Sequence, residues 1–358
     1  MVGRAASAVV RVAALAHNLE RIRAVAPQSR VLAVVKANAY GHGIEGVVPA
    51  LRGADAFAVA CIDEAIRVRD AGIESPVILL EGVFDAAELV LAARYRCELV
   101  VHSAWQVDAL AASRNPAYRF PVWLKIDTGM NRLGFPLREA RAAWERLCGL
   151  DAVGVVRLMT HLASADEPGS AATGAQLERF TLATEGWPGE RSIANSAGVF
   201  AWPDSHGDWV RPGLALYGVS PFAYRDAAGL GLQPVMTLQG RLIAVREVRA
   251  GESVGYGGAW TAPGDCRVGI IGIGYGDGYP RQAAPGTPVL VNGVRCPLVG
   301  RVSMDMLAVE LGGVDAALGD TAVLWGDGLP VEEIARSAGT IPWTLLCGVT
   351  DRVRHEYV

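Results

Sequence analysis

The sequence lacks the cysteine patterns that form disulfide frameworks or zinc sites. Its six cysteines are scattered, with no Cys-X-X-Cys pair and no cluster of cysteine and histidine. This spacing excludes a disulfide framework and a zinc site of the usual kinds. We therefore expect reduced, mostly buried thiols in a cytoplasmic protein.

Long apolar runs and phosphate-binding loops are missing as well. No apolar stretch approaches the ~20 residues that cross a membrane, and the short run after Arg4 is interrupted by Arg11, so we expect no secretory signal. No G-X-X-X-X-G-K loop occurs, which weakens the case for an open nucleotide-binding sheet. The net charge of −4 gives no electrostatic argument for binding nucleic acid or an anionic membrane.

The first two thirds of the chain instead alternate between strand-like and helix-like segments. A chain of 358 residues is long for one compact core, so we expect two domains. The alternation predicts a parallel α/β barrel of about eight strands over residues 1–232, in the manner of a (β/α)8 TIM barrel. The strand-like segments are 31–35, 55–61, 76–82, 97–101, 121–127, 153–161 and the starts of 191–198 and 209–218.

The pattern changes from residue 233 onward. Helical periodicity nearly disappears, apart from one helix at about 331–338, and short β-rich runs alternate with glycine and proline turns. This predicts a mainly-β domain over residues 233–358. The segment SAVVRV at 7–12 is strand-like too.

The stretch VLAVVKANAYGHG, residues 31–43, is the most informative part of the sequence. Its continuous β-branched run is typical of a strand buried on both faces. Lys36 follows at the C-terminal end, where parallel α/β folds bind ligands. An apolar wall lowers the pKa of an amine, so neutral Lys36 is a candidate nucleophile or base. The position alone also fits a lysine whose ammonium group reaches solvent past a packed stem.

VVKANAYGHG resembles the cofactor-lysine motif of alanine racemases, enzymes that use pyridoxal 5′-phosphate. The resemblance implies that Lys36 forms the Schiff base with this cofactor. Further stretches resemble the same family along nearly the whole chain, and two in the β domain match it almost letter for letter. They are WLKIDTGMNRLGF (123–135), MTHLASAD (159–166), ANSAG (194–198), RPGLALYG (211–218), VGYGGAW (254–260), GYGDGYPR (274–281) and GRVSMDM (300–306).

The resemblance implies a cofactor site built from the barrel. It places His161 beside the cofactor ring and Arg211 against the pyridine nitrogen. Arginine does not give up its proton at working pH, so the nitrogen should stay unprotonated and transamination should be disfavoured. The remaining contacts, mainly to the phosphate, are assigned to Tyr40, Asn195, Ser196, Gly213 and Leu214.

The resemblance also assigns the substrate contacts. Arg132 meets the substrate carboxylate, for which its planar fork is suited, and the neighbouring Lys125 is often carbamylated in the family. Alone, these two would be surface cations beside a turn. Tyr256 is implied to be the second base, reaching into the site of the other subunit. Four further residues are implied to line the entrance or substrate pocket across the dimer: Tyr275, Arg281, Met304 and Asp305.

The resemblance implies that this chain is a cytoplasmic alanine racemase. It would act as a homodimer with shared active sites, and neither nucleic acid nor a membrane is expected as a partner. Tyr256 would act on L-alanine and Lys36 on D-alanine, by a two-base mechanism on a pyridoxal-phosphate aldimine, with His161 and Arg211 completing the catalytic set. The D-alanine would supply peptidoglycan, or the reaction would serve alanine catabolism. The strand within residues 1–12 is implied to join the β domain. Asp351 departs from the pattern, since some members carry tyrosine there.

Other functions fit the same resemblance less well. A serine or broad-specificity racemase would differ in pocket size, and the broad-specificity relatives are often exported. A barrel that only carries pyridoxal phosphate would not need the β domain with Tyr256. A decarboxylase of the same architecture would not use Arg211 against the pyridine nitrogen.

Overall fold

The computed structural model describes residues 4–113 and 118–358, so the expectation for residues 1–3 lies outside the described part. The strands of the first two thirds are β1 (Ser7–Val10), β2 (Arg30–Val34), β3 (Ala56–Val59), β4 (Val77–Leu79), β5 (Cys97–Val101), β6 (Phe120–Asp127), β7 (Phe135–Pro136), β8 (Val153–Met159), β9 (Arg191–Ser192) and β10 (Trp209–Val210). The α-helices between them are Val12–Val25, Ile44–Val47, Ile62–Asp70, Glu88–Arg94, Ala104–Ala112, Leu137–Cys148, Ala171–Ala183 and Ser196–Ala201.

Eight of these strands close into a parallel barrel. The order β5-β4-β3-β2-β10-β9-β8-β6 returns on itself because β6 also pairs with β5. Every residue of β3 and of β5 is buried, as continuous apolar runs between a packed interior and an outer layer of helices require. The predicted barrel is confirmed, although β9 and β10 have only two residues each.

The remaining strands are β11 (Met236–Val248), β12 (Ser253–Val254), β13 (Trp260–Thr261), β14 (Cys266–Ile271), β15 (Pro288–Val291), β16 (Val294–Val299), β17 (Leu307–Glu310), β18 (Thr321–Trp325) and β19 (Arg354–Tyr357). Six of them close a second, antiparallel ring in the order β11-β14-β17-β16-β15-β18. The predicted helix is present as Val331–Ser337, and a second helix, Pro342–Cys347, was not predicted. The predicted mainly-β C-terminal domain is therefore confirmed.

The first and last strands attach to this second sheet. β1 pairs antiparallel with β11 and parallel with β19. The strand near the start of the chain thus joins the β domain, with the barrel continuing from the helix Val12–Val25. One continuous hydrophobic core runs through both parts, and this packing fixes the β domain against the barrel.

The expectation of mostly buried thiols is wrong. Cys97 and Cys296 are buried, Cys148 and Cys347 are exposed, and the other two are intermediate. All six are free, and no cluster of potential metal ligands occurs among the described residues. Over the same residues, no helix combines the length and apolar character needed to cross a membrane.

Candidate active site

A cavity of about 680 Å³ lies at the C-terminal ends of the barrel strands. Val34 and Met159 are the last residues of β2 and β8, and Lys125 projects from β6 beside them. Lys125 and Arg132 line the cavity. It is also lined by every residue that the sequence predicted to contact the cofactor, namely Lys36, Tyr40, His161, Asn195, Ser196, Arg211, Gly213 and Leu214.

The chain takes an unusual conformation directly after Lys36. Ala37, Asn38, Ala39 and Tyr40 have φ between 52° and 54°, a left-handed turn without glycine. Such a conformation costs roughly 1–2 kcal/mol for each residue with a side chain. Four consecutive residues held in this way indicate that the surrounding structure fixes the backbone at Lys36.

Arg211 is buried and donates three hydrogen bonds to oxygen acceptors. Its Nη1 donates to Ser192 Oγ at 2.7 Å, and its Nη2 donates to the carbonyls of Thr160 at 2.6 Å and Ile193 at 3.1 Å. Burial lowers the pKa of Arg211 to about 10, so the guanidinium stays charged at neutral pH. The side chain therefore presents a fixed positive group to the cavity.

His161 lies against this guanidinium. Its Nδ1 is 3.4 Å from Arg211 Nη2, and because arginine only donates, Nδ1 accepts. Burial, with the charges of Arg211 and Lys125, moves the pKa of His161 well below its usual value. The imidazole is therefore neutral, with its proton on Nε2.

Lys125 is buried among other cations. Burial, followed by the charges of Arg211, Arg132 and Lys36, lowers its pKa to about 8. Among the described residues, no carboxylate lies within 4.0 Å of any of these four cations. A cavity with this excess of positive charge is suited to an anionic ligand.

One wall of the cavity combines hydroxyl groups with backbone amides. Ser196 Oγ accepts from the amides of Gly213 at 3.0 Å and Ala215 at 3.2 Å. A Cβ atom on Gly213 would lie 2.3 Å from the hydroxyl of Tyr40, so only glycine lets this hydroxyl approach the backbone. The Tyr40 ring stacks on Tyr217, with ring centroids 4.8 Å apart.

The residues expected from the β domain do not line the cavity of their own chain. Tyr256 follows β12 and is 70% exposed, and Tyr275 and Met304 are exposed too. Asp305 is also outside the cavity, where it forms ion pairs with Arg4 and Arg352. In the single chain these side chains face outward, so the structure does not bring them together with Lys36.

Several residues of the site escaped the sequence analysis. Glu81, Asp166 and Trp343 line the cavity, and Trp343 comes from the unexpected helix Pro342–Cys347. Gln176 Nε2 donates to the carbonyl of His161 at 2.9 Å, and its Oε1 accepts from the amide of Ala163 at 2.8 Å. These are isolated polar or aromatic residues on helices or loops, and nothing in their spacing indicates what they contact.

Comparison with known proteins agrees with this architecture. The family model for the alanine racemase N-terminal domain matches residues 10–221, and the model for the C-terminal domain matches residues 235–357. Together they cover both the barrel and the β domain.

Individual relatives match over the whole length. The alanine racemase of Halorhodospira halophila is 52% identical over 358 residues, covering 99% of this chain and 98% of its own. The crystal structure of biosynthetic alanine racemase from Pseudomonas aeruginosa is 48% identical, with a TM-score of 0.96 and 99% of each chain covered. An alanine racemase from Bartonella henselae, solved with covalently bound pyridoxal phosphate, is 29% identical with a TM-score of 0.88, again over 99% of each chain. The chain belongs to the alanine racemase family, isomerases that depend on pyridoxal phosphate.

Proposed function

We propose that this protein interconverts L- and D-alanine with pyridoxal 5′-phosphate attached to Lys36. One observation carries the proposal. The sequence contains only two lysines, Lys36 and Lys125, and both line the same cavity. The amine that holds the cofactor therefore has to come from this site or from the chain terminus.

The cavity residues fit the cofactor at both of its ends. The hydroxyls of Tyr40 and Ser196 and the amide of Leu214 would hold the phosphate, and the amide of Gly213, which here donates to Ser196 Oγ, would turn to it. Gly213 has no side chain, so this wall stays open. Arg211 would face the pyridine nitrogen, with neutral His161 beside the ring. Asn195 is fixed nearby because its side chain accepts from the amide of Gly198 at 2.9 Å.

The bound cofactor supplies an electron-withdrawing group that acidifies the Cα–H bond of the amino acid. The permanent charge of Arg211 opposes protonation of the pyridine nitrogen, which limits delocalisation into the ring. Proton removal and return therefore have to be closely coupled. This arrangement favours racemisation over transamination.

Racemisation requires acid–base groups on the two faces of the Cα atom. Lys36 supplies one, acting on D-alanine. Tyr256 is exposed in its own chain and would supply the other, acting on L-alanine, from a second subunit. A two-fold dimer of this kind has two equivalent shared sites, with Tyr275, Met304 and Asp305 arriving beside Tyr256.

Arg132 would bind the substrate carboxylate, since it is exposed at the cavity and has no carboxylate partner within 4.0 Å among the described residues. Lys125 has a pKa of about 8, so part of the population is a neutral amine at pH 7.5. Such an amine can add carbon dioxide and become an anion beside Arg132. The carbamate would then orient Arg132 and relieve the repulsion among the four cations.

Reduction with borohydride tests the attachment site. It makes the bond between cofactor and lysine permanent, and digestion should then place the added mass on the peptide containing Lys36. With only two lysines the assignment is unambiguous. Mass on the Lys125 peptide would contradict the proposal.

Mixing two inactive variants tests the shared site. A heterodimer of Lys36→Ala and Tyr256→Ala chains has one site with both lesions and one intact site. Random pairing gives about half heterodimers, hence up to roughly a quarter of native activity. Differently tagged chains verify exchange, and tagged heterodimers without activity would show that both bases come from one chain.

A panel of L-amino acids tests substrate choice, with loss of optical rotation as the signal. Alanine should react fastest, and equal rates with serine would favour the broad-specificity alternative.

The proposal includes a cytoplasmic location, a role for D-alanine in peptidoglycan synthesis or catabolism, and a domain boundary between residues 232 and 233.

A further inference from the structure

The helix Ile62–Asp70 holds the strained turn that follows Lys36. Glu64 Oε1 accepts from the amide of Ala37 at 2.7 Å, and its Oε2 accepts from the amide of Ala60 at 2.8 Å. One carboxylate thereby joins the turn after β2 to the loop after β3. Both oxygens are occupied, so the side chain has no freedom to move without losing a contact.

Arg67 reaches the same turn one helical step later. Its Nη2 donates to Asn38 Oδ1 at 2.7 Å, and its own position is fixed by two hydrogen bonds to Glu45. Residues three apart lie on one face of a helix. Glu64 and Arg67 therefore form hydrogen bonds with adjacent residues of the turn, Ala37 and Asn38.

We propose that Glu64 is a positioning residue for Lys36. Its carboxylate stabilises the left-handed turn and thereby fixes the Lys36 backbone at the cavity. The inference rests on the proposed attachment of the cofactor to Lys36. Glu64 does not line the cavity, so it acts through the backbone, not on the substrate.

The variant Glu64→Gln isolates this function. The amide group keeps one acceptor, now uncharged, and turns an NH2 group toward the second backbone N–H, so one hydrogen bond is lost and the other no longer has a charged acceptor. We expect the Ala37 amide to exchange with solvent about tenfold faster in the cofactor-free protein. Cofactor affinity, measured by absorbance during titration with pyridoxal phosphate, should fall by about the same factor.

Glu88 provides a matched control. It begins the helix Glu88–Arg94, and its Oε2 accepts from the amide of Phe84 at 2.8 Å, four residues earlier, as Glu64 Oε2 does from Ala60. It does not line the cavity. Glu88→Gln should leave the Ala37 exchange and the cofactor affinity unchanged.

A second substitution separates positioning from general destabilisation. Glycine adopts positive φ without the penalty of a Cβ atom, so Ala37→Gly should restore part of the cofactor affinity in the Glu64→Gln chain. Unchanged exchange and affinity in Glu64→Gln would overturn the inference, as would a loss that Ala37→Gly does not relieve. Borohydride labelling of Lys125 in the unsubstituted chain would instead contradict the proposed function, while the exchange at Ala37 would still report whether Glu64 holds the turn.

Discussion

The two ends of the barrel interior differ in whether their charged side chains have partners of opposite charge. β6 and β8 contribute to both, because Trp123 pairs with Arg157 in one layer and Lys125 pairs with Met159 two residues further along. The layer with Arg157 is balanced by carboxylates. The layer with Lys125 is the cavity, where four cations have no carboxylate within 4.0 Å among the described residues.

In the balanced layer every charged group has a partner. Arg157 donates to Glu190 at 2.7 Å and to Glu98 at 3.0 Å, and its guanidinium lies 5.1 Å from the centre of the Trp123 ring. The indoles of Trp123 and Trp209 donate to the same two carboxylates. Although burial opposes ionisation, hydrogen bonds from Arg30, Trp209 and Arg157 lower the pKa of Glu190 to about 2.

The difference distinguishes a structural network from a binding site. Buried charges that serve the fold are paired, because an unpaired charge away from water is costly. The cavity keeps its cations apart from carboxylates, although Glu81 and Asp166 line it too. The missing negative charge is what an anionic cofactor and an amino-acid carboxylate would supply.

Removing Lys36 should give the largest functional effect. On the proposed mechanism, Lys36→Ala loses both the attachment point and one base, so racemase activity should fall by about 10³-fold or more. The free energy of unfolding of the cofactor-free chain should not fall, since one of four mutually repelling cations is gone. Activity and urea unfolding on the same samples test this. A large loss of stability would mean that the cavity cations are structural after all.

Breaking the balanced layer should have the opposite signature. Arg157→Met leaves Glu98 buried without its cation, and the free energy of unfolding should drop by about 3 kcal/mol. Activity per folded, cofactor-loaded molecule should stay near native. Arg141→Met, which removes an exposed pair with Glu145, is the control and should cost less than about 0.5 kcal/mol.

The sequence predicted the parts of the fold that depend on local pattern. The strand Cys97–Val101 has the predicted bounds, because a short, mainly apolar run defines it. β9 and β10 shrink to two residues, since their length depends on neighbours that complete the ring. The strand Arg354–Tyr357 was not predicted, because its hydrogen bonds go to β1, more than three hundred residues away.

The cavity residues were predicted through the family resemblance, and their supports were not. The sequence Ala-Asn-Ala-Tyr at 37–40 does not indicate four residues with positive φ, since only asparagine among them favours that region. Glu64 and Gln176 are ordinary helix residues in sequence, and their contacts lie in other loops of the barrel. Only the assembled barrel shows which backbone groups need them.

Lys125 provides a pH-dependent contrast between the two layers. Its pKa of about 8 lies below the ordinary value of 10.5, so Lys125 binds its proton more strongly in the unfolded chain than in the folded one. Stability should therefore rise as pH increases from about 8 to 10.5, and the charged lysine costs about 3 kcal/mol below that range. Lys125→Met should be more stable than the parent at pH 7 and lose this advantage by pH 10.5. Urea unfolding in carbonate-free buffer at both pH values tests it, and an advantage of equal size at both would contradict it.

Ser192 connects the two layers and should give the smallest effect. Its Oγ donates to the carbonyl of Trp209 at 2.9 Å and accepts from Arg211 Nη1 at 2.7 Å. Ser192→Ala removes one of the hydrogen-bond acceptors of a buried guanidinium, which should cost about 1–2 kcal/mol of stability and lower activity several-fold.

The control for this variant is another buried serine. Ser205 Oγ donates only to backbone carbonyls, chiefly that of Trp202 at 2.6 Å, so Ser205→Ala should cost about 1 kcal/mol and leave kcat unchanged. If both variants lower kcat alike, the effect is general loosening of the barrel. If only Ser192→Ala does so, the position of the Arg211 guanidinium, which the Ser192 hydroxyl fixes, matters to the reaction.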